Sequence, residues 1–157
     1  MKKYNAEILS GFQKHKNDGD NNLSHHFEGR YENIYIDQVK IPELTPVFDV
    51  VTRLASEILG LSSNNLQSGY WFNYMLTGQR TLPHNHDEDT ELLACVYYVS
   101  VPDQSGALLL GEGNSQKIIK PEASLMVFFP PDLVHSVGTN KSNLPRLSIG
   151  INIGEFI

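Results

Sequence analysis

From Gly69 onward, the sequence breaks into short apolar stretches separated by turn residues, and this pattern constrains the fold more than any other feature of the chain. Apolar-rich runs of this kind, bounded by Gly, Pro, Asn, Asp or Ser, are typical of β-strands. Eight such runs predict a mainly β protein built on a jelly roll, also called a double-stranded β-helix. The predicted strands are residues 70–76, 81–86, 92–99, 107–110, 116–119, 124–129, 134–137 and 146–153.

Two of these predicted strands indicate where the core lies. Residues 92–99, LLACVYYV, form a near-continuous apolar run, which predicts a strand buried on both faces in the middle of a sheet. Residues 146–153 alternate instead, as side chains on the two faces of a strand do. The set expected to face the core is Leu147, Ile149, Ile151 and Ile153. The residues on the opposite face are Arg146, Ser148, Gly150 and Asn152. The pattern alone allows this face to contact either solvent or a functional site.

The length of 157 residues predicts a single domain. Residues 70–157 form the predicted β core, and residues 1–69 are expected to support it with one or two packed helices and a short strand. One short helix is predicted within residues 1–16, where the apolar side chains at helical spacing are Ile8, Leu9 and Phe12. A loop is predicted through residue 24, and His25 and His26 are expected on the surface.

A second helix is predicted from Thr45 to Gly60, after a short strand at residues 32–36. Thr45 is a candidate cap, Pro46 suits the first helical position, and Gly60 is a typical helix end. The apolar stripe expected to pack across a sheet is Val47, Val50, Val51, Leu54 and Ile58. This helix is expected to close one side of the β domain.

The acidic balance limits the partners of the chain. Twelve Lys and Arg residues against 18 Asp and Glu residues leave a net charge of -6, which disfavours nucleic acid and anionic membranes. The single cysteine, Cys95, lies in an apolar run and predicts a buried reduced thiol. No pattern of a signal peptide or a membrane span is present. We therefore expect a cytoplasmic protein with a small or neutral partner.

The strongest candidate for chemistry is the triplet His84-Asn85-His86. Two histidines separated by one residue in a strand point to the same side, and imidazole suits iron, copper, nickel and zinc. His135 is a candidate third ligand, and three ligands on one side leave positions open for substrate and oxygen. Arg146 follows eleven residues later across a turn-like segment, which allows a hairpin that returns it beside His135. A buried arginine requires an anion, which a bound dicarboxylate would supply.

The motifs of the second half occur in a characteristic order. They are Asn73 eleven residues before His84, the HNH of residues 84–86, VYYVSVPDQSGALLL at 96–110, KPEASLMVFFPPDLVHSV at 120–137 and RLSIGINI at 146–153. In this order and spacing, the sequence resembles the 2-oxoglutarate- and Fe(II)-dependent oxygenase superfamily, especially its small microbial and phage-type hydroxylases. The resemblance covers residues 70–154 and implies the jelly-roll fold.

The resemblance also implies a role for individual residues. His84 is similar to the first metal ligand of the superfamily and His135 to the distal one. Arg146 and Ser148 match the Arg-x-Ser of the last strand that binds the distal carboxylate of 2-oxoglutarate. Asn73 is similar to a polar residue, one strand earlier, that can bond the cosubstrate.

The second metal ligand departs from the pattern of the superfamily, because His86 stands where Asp or Glu is expected. The preferred interpretation is a neutral set of His84, His86 and His135. A register of His86, Glu88 and His135 would restore a carboxylate, and a register of His84, Asp87 and His135 would need a bend because its spacing is odd.

The function implied by the resemblance is that of a 2-oxoglutarate-dependent dioxygenase, an oxidoreductase. Fe(II) and 2-oxoglutarate are the implied cofactors, molecular oxygen is consumed, and an unidentified small-molecule or peptide substrate is hydroxylated. Three neutral ligands leave more positive charge on the metal than the usual carboxylate set, so charge balance would rely on the bound dicarboxylate. A monomer and a homodimer are both compatible with the sequence.

Two alternatives remain open on the sequence alone. A cupin-type metal enzyme or isomerase shares the jelly roll and would use His84, His86, Glu91 and His135. Its motifs expect glycine where Tyr98 and Asp132 stand, and it gives Arg146 no role. The other alternative is a non-catalytic jelly-roll binding module without metal.

Overall fold

A computed structural model describes residues 1–86 and 90–156 of the chain. Two α-helices and ten β-strands occur in the described part. In chain order they are α1 Lys2–His15, β1 Asn22–Phe27, β2 Arg30–Tyr35, α2 Thr45–Leu59, β3 Leu66–Met75, β4 Thr81–His84, β5 Glu91–Ser100, β6 Leu108–Leu110, β7 Lys117–Ile119, β8 Met126–Phe129, β9 His135–Val137 and β10 Arg146–Glu155. Strands β3 to β10 correspond to the eight strands predicted for the jelly roll, so the predicted fold class is confirmed.

The strands form two antiparallel sheets. The larger sheet has six strands in the order β1-β2-β3-β10-β5-β8, and the smaller has four in the order β4-β9-β6-β7. Strand β5, which contains the apolar run, lies between β10 and β8, as predicted for an interior strand. No helix in the described part of the chain is long and apolar enough to cross a membrane.

The two faces of strand β10 have different neighbours. The four alternating residues predicted for the core are at most 1% exposed and pack against both helices; they are Leu147, Ile149, Ile151 and Ile153. The opposite face lines a cavity between the sheets, and it carries Arg146, Ser148, Gly150 and Asn152. Full burial of an aliphatic side chain contributes about 1.5–3 kcal/mol, so one-residue register slips of β10 are strongly disfavoured.

Both predicted helices form, with corrections at α2. Gly60 ends α2 in the left-handed region at φ 69°, and its N–H donates to the Ser56 carbonyl. Thr45 is not the cap: Leu44 occupies that position, and the Thr45 hydroxyl accepts a hydrogen bond from Gln38. The prediction for Ile58 is also wrong, because α2 packs along a narrower stripe and leaves this side chain 55% exposed.

Strand β2 overlaps the short strand predicted at residues 32–36, but β1 and the hairpin that it forms with β2 were not predicted from the sequence. Residues 22–24 were expected in a loop, but Asn22 pairs with Tyr35 and Ser24 with Asn33. The turn is made by Glu28 and Gly29, both at positive φ, which is the geometry of a tight β-hairpin turn. Strand β1 is largely exposed, and backbone pairing along an exposed strand requires no apolar alternation, so hydrophobic periodicity carries little signal for it.

Cys95 is a free, buried thiol, as predicted, and burial raises its pKa.

Candidate metal centre

Three histidines converge at one end of the smaller sheet. Strands β4 and β9 are antiparallel, and their register places His84 opposite His135. His86 follows β4, and one possible ligand atom from each of the three side chains lies within 4.8 Å of the others. The predicted strand of residues 81–86 is too long, since β4 ends at His84. Pro83 has no N–H for the ladder, and the register with β9 shifts between Thr81 and His84.

Two of the imidazoles have a defined tautomer. The Nδ1 of His84 lies 2.9 Å from the Leu82 carbonyl, and the Nδ1 of His135 lies 3.0 Å from the Leu133 carbonyl. A carbonyl only accepts, so both Nδ1 atoms must carry the proton. The Nε2 lone pairs are therefore available to a metal, and the carbonyls hold both rings in place.

His86 is held by its backbone and by one large neighbour. Its N–H donates to the Pro131 carbonyl at 2.8 Å, and its ring centroid lies 5.2 Å from that of Trp71. Burial, aided by the other histidines, lowers the pKa of His86 to about 4, and burial likewise lowers the pKa of His135 to about 4. Both rings are thus neutral near pH 7, which is the state that binds a metal.

Gly150 on β10 leaves space for the side chain of Trp71, its partner on the neighbouring strand β3. A Cβ on Gly150 would overlap the indole ring, which is also the ring that contacts His86. We expect Gly150→Ala to displace the indole, to cost about 1–3 kcal/mol of stability, and to weaken metal binding by loosening His86. Trp71 is the single tryptophan of the chain, so its emission reports this displacement directly.

Gly69→Ala is the matched control for this prediction. Gly69 lies on β3 in a negative-φ conformation, and a Cβ there meets nothing within 4 Å. Urea denaturation, metal titration and tryptophan emission should all remain as in the wild type. An unchanged emission spectrum in Gly150→Ala would contradict the proposed contact.

Arg146 is a buried cation at the opposite side of this cavity. It is 1% exposed; its Nη1 donates to the Gly106 carbonyl at 3.3 Å and approaches the Met75 sulfur at 3.8 Å. Its guanidinium lies 5.1 Å from the centroid of the Tyr98 ring. Among the described residues it forms no ion pair, and its Nε has no hydrogen-bond partner.

The unpaired state of Arg146 has a direct chemical consequence. Burial lowers its pKa, yet a guanidinium starts so high that it stays protonated. A buried charge without a counter-ion is costly, and an incoming carboxylate would relieve that cost by a charge-assisted hydrogen bond. The cavity is therefore suited to an anion.

Ser148 and Asn73 lie next to Arg146 on the same wall. The register of β10 and β3 places Ser148 opposite Asn73, and both line the cavity. Asn73 accepts a hydrogen bond from Arg30 at 3.2 Å and donates to Thr81 at 3.3 Å. The positions predicted from the sequence for cosubstrate binding are thus brought together.

Arg30 contacts this wall through Asn73 and was not predicted from the sequence. Besides Asn73, its guanidinium donates to Glu32 at 3.1 Å and to the Arg80 carbonyl at 3.0 Å. It lies at the start of β2, in the hairpin that the sequence did not predict. The contacts of Trp71 with His86 and of Tyr98 with Arg146 could not be predicted from sequence spacing either.

The described residues test one of the alternative ligand sets but not the other two. Glu91 does not join the histidines: the described group of possible metal ligands comprises only His84, His86 and His135. The four-ligand set expected of a cupin is therefore not assembled. Glu88 and Asp87, named in the other two registers, lie outside the described residues.

Taken together, the cavity joins two complementary features. One part offers up to three imidazole nitrogens that could hold a metal ion. The other part offers a buried cation with adjacent polar groups. The cavity also has an apolar wall, formed by Ala94, Val96, Leu108, Phe129 and Val137.

Comparisons with known proteins identify solved structures with a similar fold. No protein-family model matches the sequence, and no curated protein matches it either. Among solved structures, a prolyl-4-hydroxylase from Pseudomonas putida is 16% identical with a TM-score of 0.77, covering 99% of this chain and 88% of that one. A prolyl hydroxylase from Trichoplax adhaerens, solved in complex with a hypoxia inducible factor peptide fragment, is 15% identical with a TM-score of 0.73, covering 98% and 74%.

A third structure contains the cosubstrate named by the sequence resemblance. EvdO2 from Micromonospora carbonacea, complexed with 2-oxoglutarate, is 13% identical with a TM-score of 0.72, covering 99% of this chain and 83% of that one. At these identities the likeness concerns the fold. The chain has the jelly-roll fold of the 2-oxoglutarate- and Fe(II)-dependent oxygenases, as the resemblance predicted.

Proposed function

We propose that this protein is an Fe(II)- and 2-oxoglutarate-dependent dioxygenase that hydroxylates a small-molecule or peptide substrate. The observation that carries the proposal is one cavity with two ends, a three-histidine cluster and a buried Arg146 without a carboxylate partner among the described residues. A jelly roll that serves only as a binding module needs neither a three-histidine cluster nor an unpaired buried arginine. The free thiol of Cys95 is compatible with the reducing cytoplasm, where we place the protein.

The residues fit both cofactors. The Nε2 atoms of His84 and His135, together with His86, would hold Fe(II), and neutral imidazole is a suitable ligand for that ion. Arg146 and Ser148, with Asn73 beside them, would bind the distal carboxylate of 2-oxoglutarate. When bound, the metal and cosubstrate supply the activation of oxygen and the oxidation of a substrate C–H bond.

The chain itself contributes orientation and exclusion of water. The Leu82 and Leu133 carbonyls hold two imidazoles, which fixes where the metal would lie relative to Arg146. The apolar side chains of the lining, including Leu108 and Phe129, would exclude water from around a bound cosubstrate, which strengthens its electrostatic contacts.

The substrate would approach through a cleft beside the histidines. This cleft runs between the β1–β2 hairpin and residues 82–86, and its lining includes His25, Phe27, Tyr35 and Trp71. Two of the similar structures are prolyl hydroxylases, one of them solved with a peptide, and this supports a peptide as one candidate substrate.

Anaerobic titration of the wild-type protein tests the proposed function. We expect 2-oxoglutarate to bind tightly in the presence of Fe(II) and weakly to metal-free protein, and we expect succinate release when oxygen and a substrate library are supplied. Isothermal calorimetry and the emission of Trp71 measure the binding. Equal affinity with and without metal, or absence of stoichiometric metal after gentle purification, would favour a binding module.

Replacing His86 with aspartate should convert the neutral set into one that carries a carboxylate. We expect metal affinity without cosubstrate to rise about tenfold, because a negative ligand offsets the charge of the metal. The gain in metal affinity on adding 2-oxoglutarate should shrink, since less charge remains to be balanced. Chelator competition with and without 2-oxoglutarate measures both quantities.

Asn85→Asp is the matched control for His86→Asp. Asn85 is exposed and adjacent to His86, so Asn85→Asp adds the same negative charge at nearly the same place. If both variants raise metal affinity equally, the effect is one of local charge and His86 is not a ligand.

A further inference from the structure

A second cleft shares Trp71 with the metal cavity, and none of the three histidines lines it. Its lining includes Tyr35, Tyr70, Trp71, Glu91 and Asn152. Trp71 and Asn152 also line the metal cavity, so the two spaces share a wall. A substrate with its reacting carbon near the histidines can therefore extend into this cleft.

Two hydrogen-bond acceptors of the cleft have no donor. The Glu91 Oε2 and the Asn152 Oδ1 are buried and have no hydrogen-bond partner in the described part of the chain. Their strands are neighbours: Asn152 pairs with Ala94, and Glu91 pairs with Gly154. Buried polar atoms are nearly always satisfied in native proteins, so these two indicate a ligand that brings donors.

The charge around the cleft identifies what kind of donor fits. Its described lining contains no lysine or arginine. The carboxylate of Glu91 is the acidic side chain of that described lining. A negative potential of this kind attracts cations and repels anions.

Aromatic side chains complete the arrangement. Trp71, Tyr70 and Tyr35 line the cleft together with the carboxylate of Glu91. An ammonium or a guanidinium is attracted to aromatic faces and carries only donors. Such a group would therefore satisfy the unpaired acceptors and use the aromatic surface at the same time.

We propose that the substrate carries a cationic nitrogen group, an ammonium or a guanidinium, which binds between Trp71 and the acceptors of Glu91 and Asn152. This inference rests on the proposed function for the reaction that follows binding. It narrows the substrate class to amine- or guanidine-bearing molecules, including lysine- or arginine-containing peptides. Glu91 is then a specificity residue rather than a metal ligand.

Four small probes test this proposal. They are Nα-acetyl-lysine amide and Nα-acetyl-arginine amide, with norleucine and citrulline analogues as neutral counterparts. Binding is followed by calorimetry and by Trp71 emission, in anaerobic protein loaded with Fe(II) and 2-oxoglutarate and in metal-free protein. We expect at least one cationic probe to bind about tenfold tighter than its neutral counterpart, with a preference that weakens as salt is added.

Substitutions in the cleft test whether Glu91 causes the preference for cationic probes. Glu91→Gln keeps the shape of the side chain and should remove the preference while metal affinity stays unchanged. Glu122→Gln makes the same change of charge at an exposed site and should leave the preference intact. The double variant Glu91→Gln/Asn152→Asp returns a carboxylate to the cleft and should restore it.

The outcomes separate this inference from the proposed function. Equal binding of cationic and neutral probes, no measurable binding of any probe, or a preference that persists in Glu91→Gln would overturn the cation site. A preference that is present in metal-free protein, in a chain that fails to bind 2-oxoglutarate, would instead overturn the oxygenase assignment and leave the cation site in place.

Discussion

Replacing Arg146 with methionine is expected to weaken 2-oxoglutarate binding about a hundredfold, because it removes a charge-assisted contact with a buried cation. Its guanidinium is 1% exposed and forms no ion pair among the described residues, so a carboxylate ligand has no competitor there. Arg146→Lys should recover only part of the affinity, since an ammonium cannot reproduce the planar fork. Anaerobic calorimetry in the presence of Fe(II) measures both variants.

The same substitution should have the opposite effect on stability. Exchanging an unpaired buried charge for an apolar side chain of similar length is expected to stabilise the ligand-free protein by about 1 kcal/mol or more. Urea denaturation of ligand-free protein measures this difference. Loss of binding together with higher stability identifies Arg146 as a residue retained for binding, which simple misfolding cannot imitate.

Arg53→Met is the matched control, because Arg53 is 60% exposed on α2 and pairs with Glu57 on the surface. Its 2-oxoglutarate affinity should equal that of the wild type. Unchanged affinity in Arg146→Met would exclude Arg146 from the cosubstrate site and with it the main support for the proposed function.

Substituting His135 with alanine should reduce metal affinity about a hundredfold or more, since each ligand of a preformed site contributes several kcal/mol. His135 is 5% exposed, lies opposite His84 in the sheet, and has its ring oriented by the Leu133 carbonyl. Chelator competition with Fe(II) under anaerobic conditions, and with Co(II) in air, measures the loss.

Imidazole added to His135→Ala should restore part of the metal affinity by occupying the space that the side chain leaves. His26→Ala is the control, because His26 is exposed and lies outside the three-histidine group. Wild-type metal affinity in His135→Ala would show that the ion binds elsewhere.

Much of this fold could be predicted from the sequence because its strands obey a simple rule. Strand β10 alternates strictly, and burial of its apolar residues on one side leaves Arg146 and Ser148 facing the cavity. His84 and His135 were recognised by residue type and order. The register between β4 and β9 then brings them opposite each other.

Other features could not be predicted because their signals are not periodic. Strand β1 is largely exposed and is held to β2 by backbone pairing, so the hairpin was not predicted, nor was the hydrogen bond from Arg30 to Asn73. His86 was assigned to a strand, yet its place depends on a hydrogen bond to Pro131, a residue 45 positions away in the chain.

By itself, the sequence determined the jelly-roll class, the two faces of β10 and the histidine and arginine residues that can carry the chemistry. These depend on side-chain alternation and residue type, which are local properties of the chain. Only the tertiary structure decided that Glu91 does not join the histidines, that Arg146 has no carboxylate partner among the described residues, and that Trp71 lines two clefts. Each of these is set by contacts between strands distant in sequence, where no local pattern records which side chains meet.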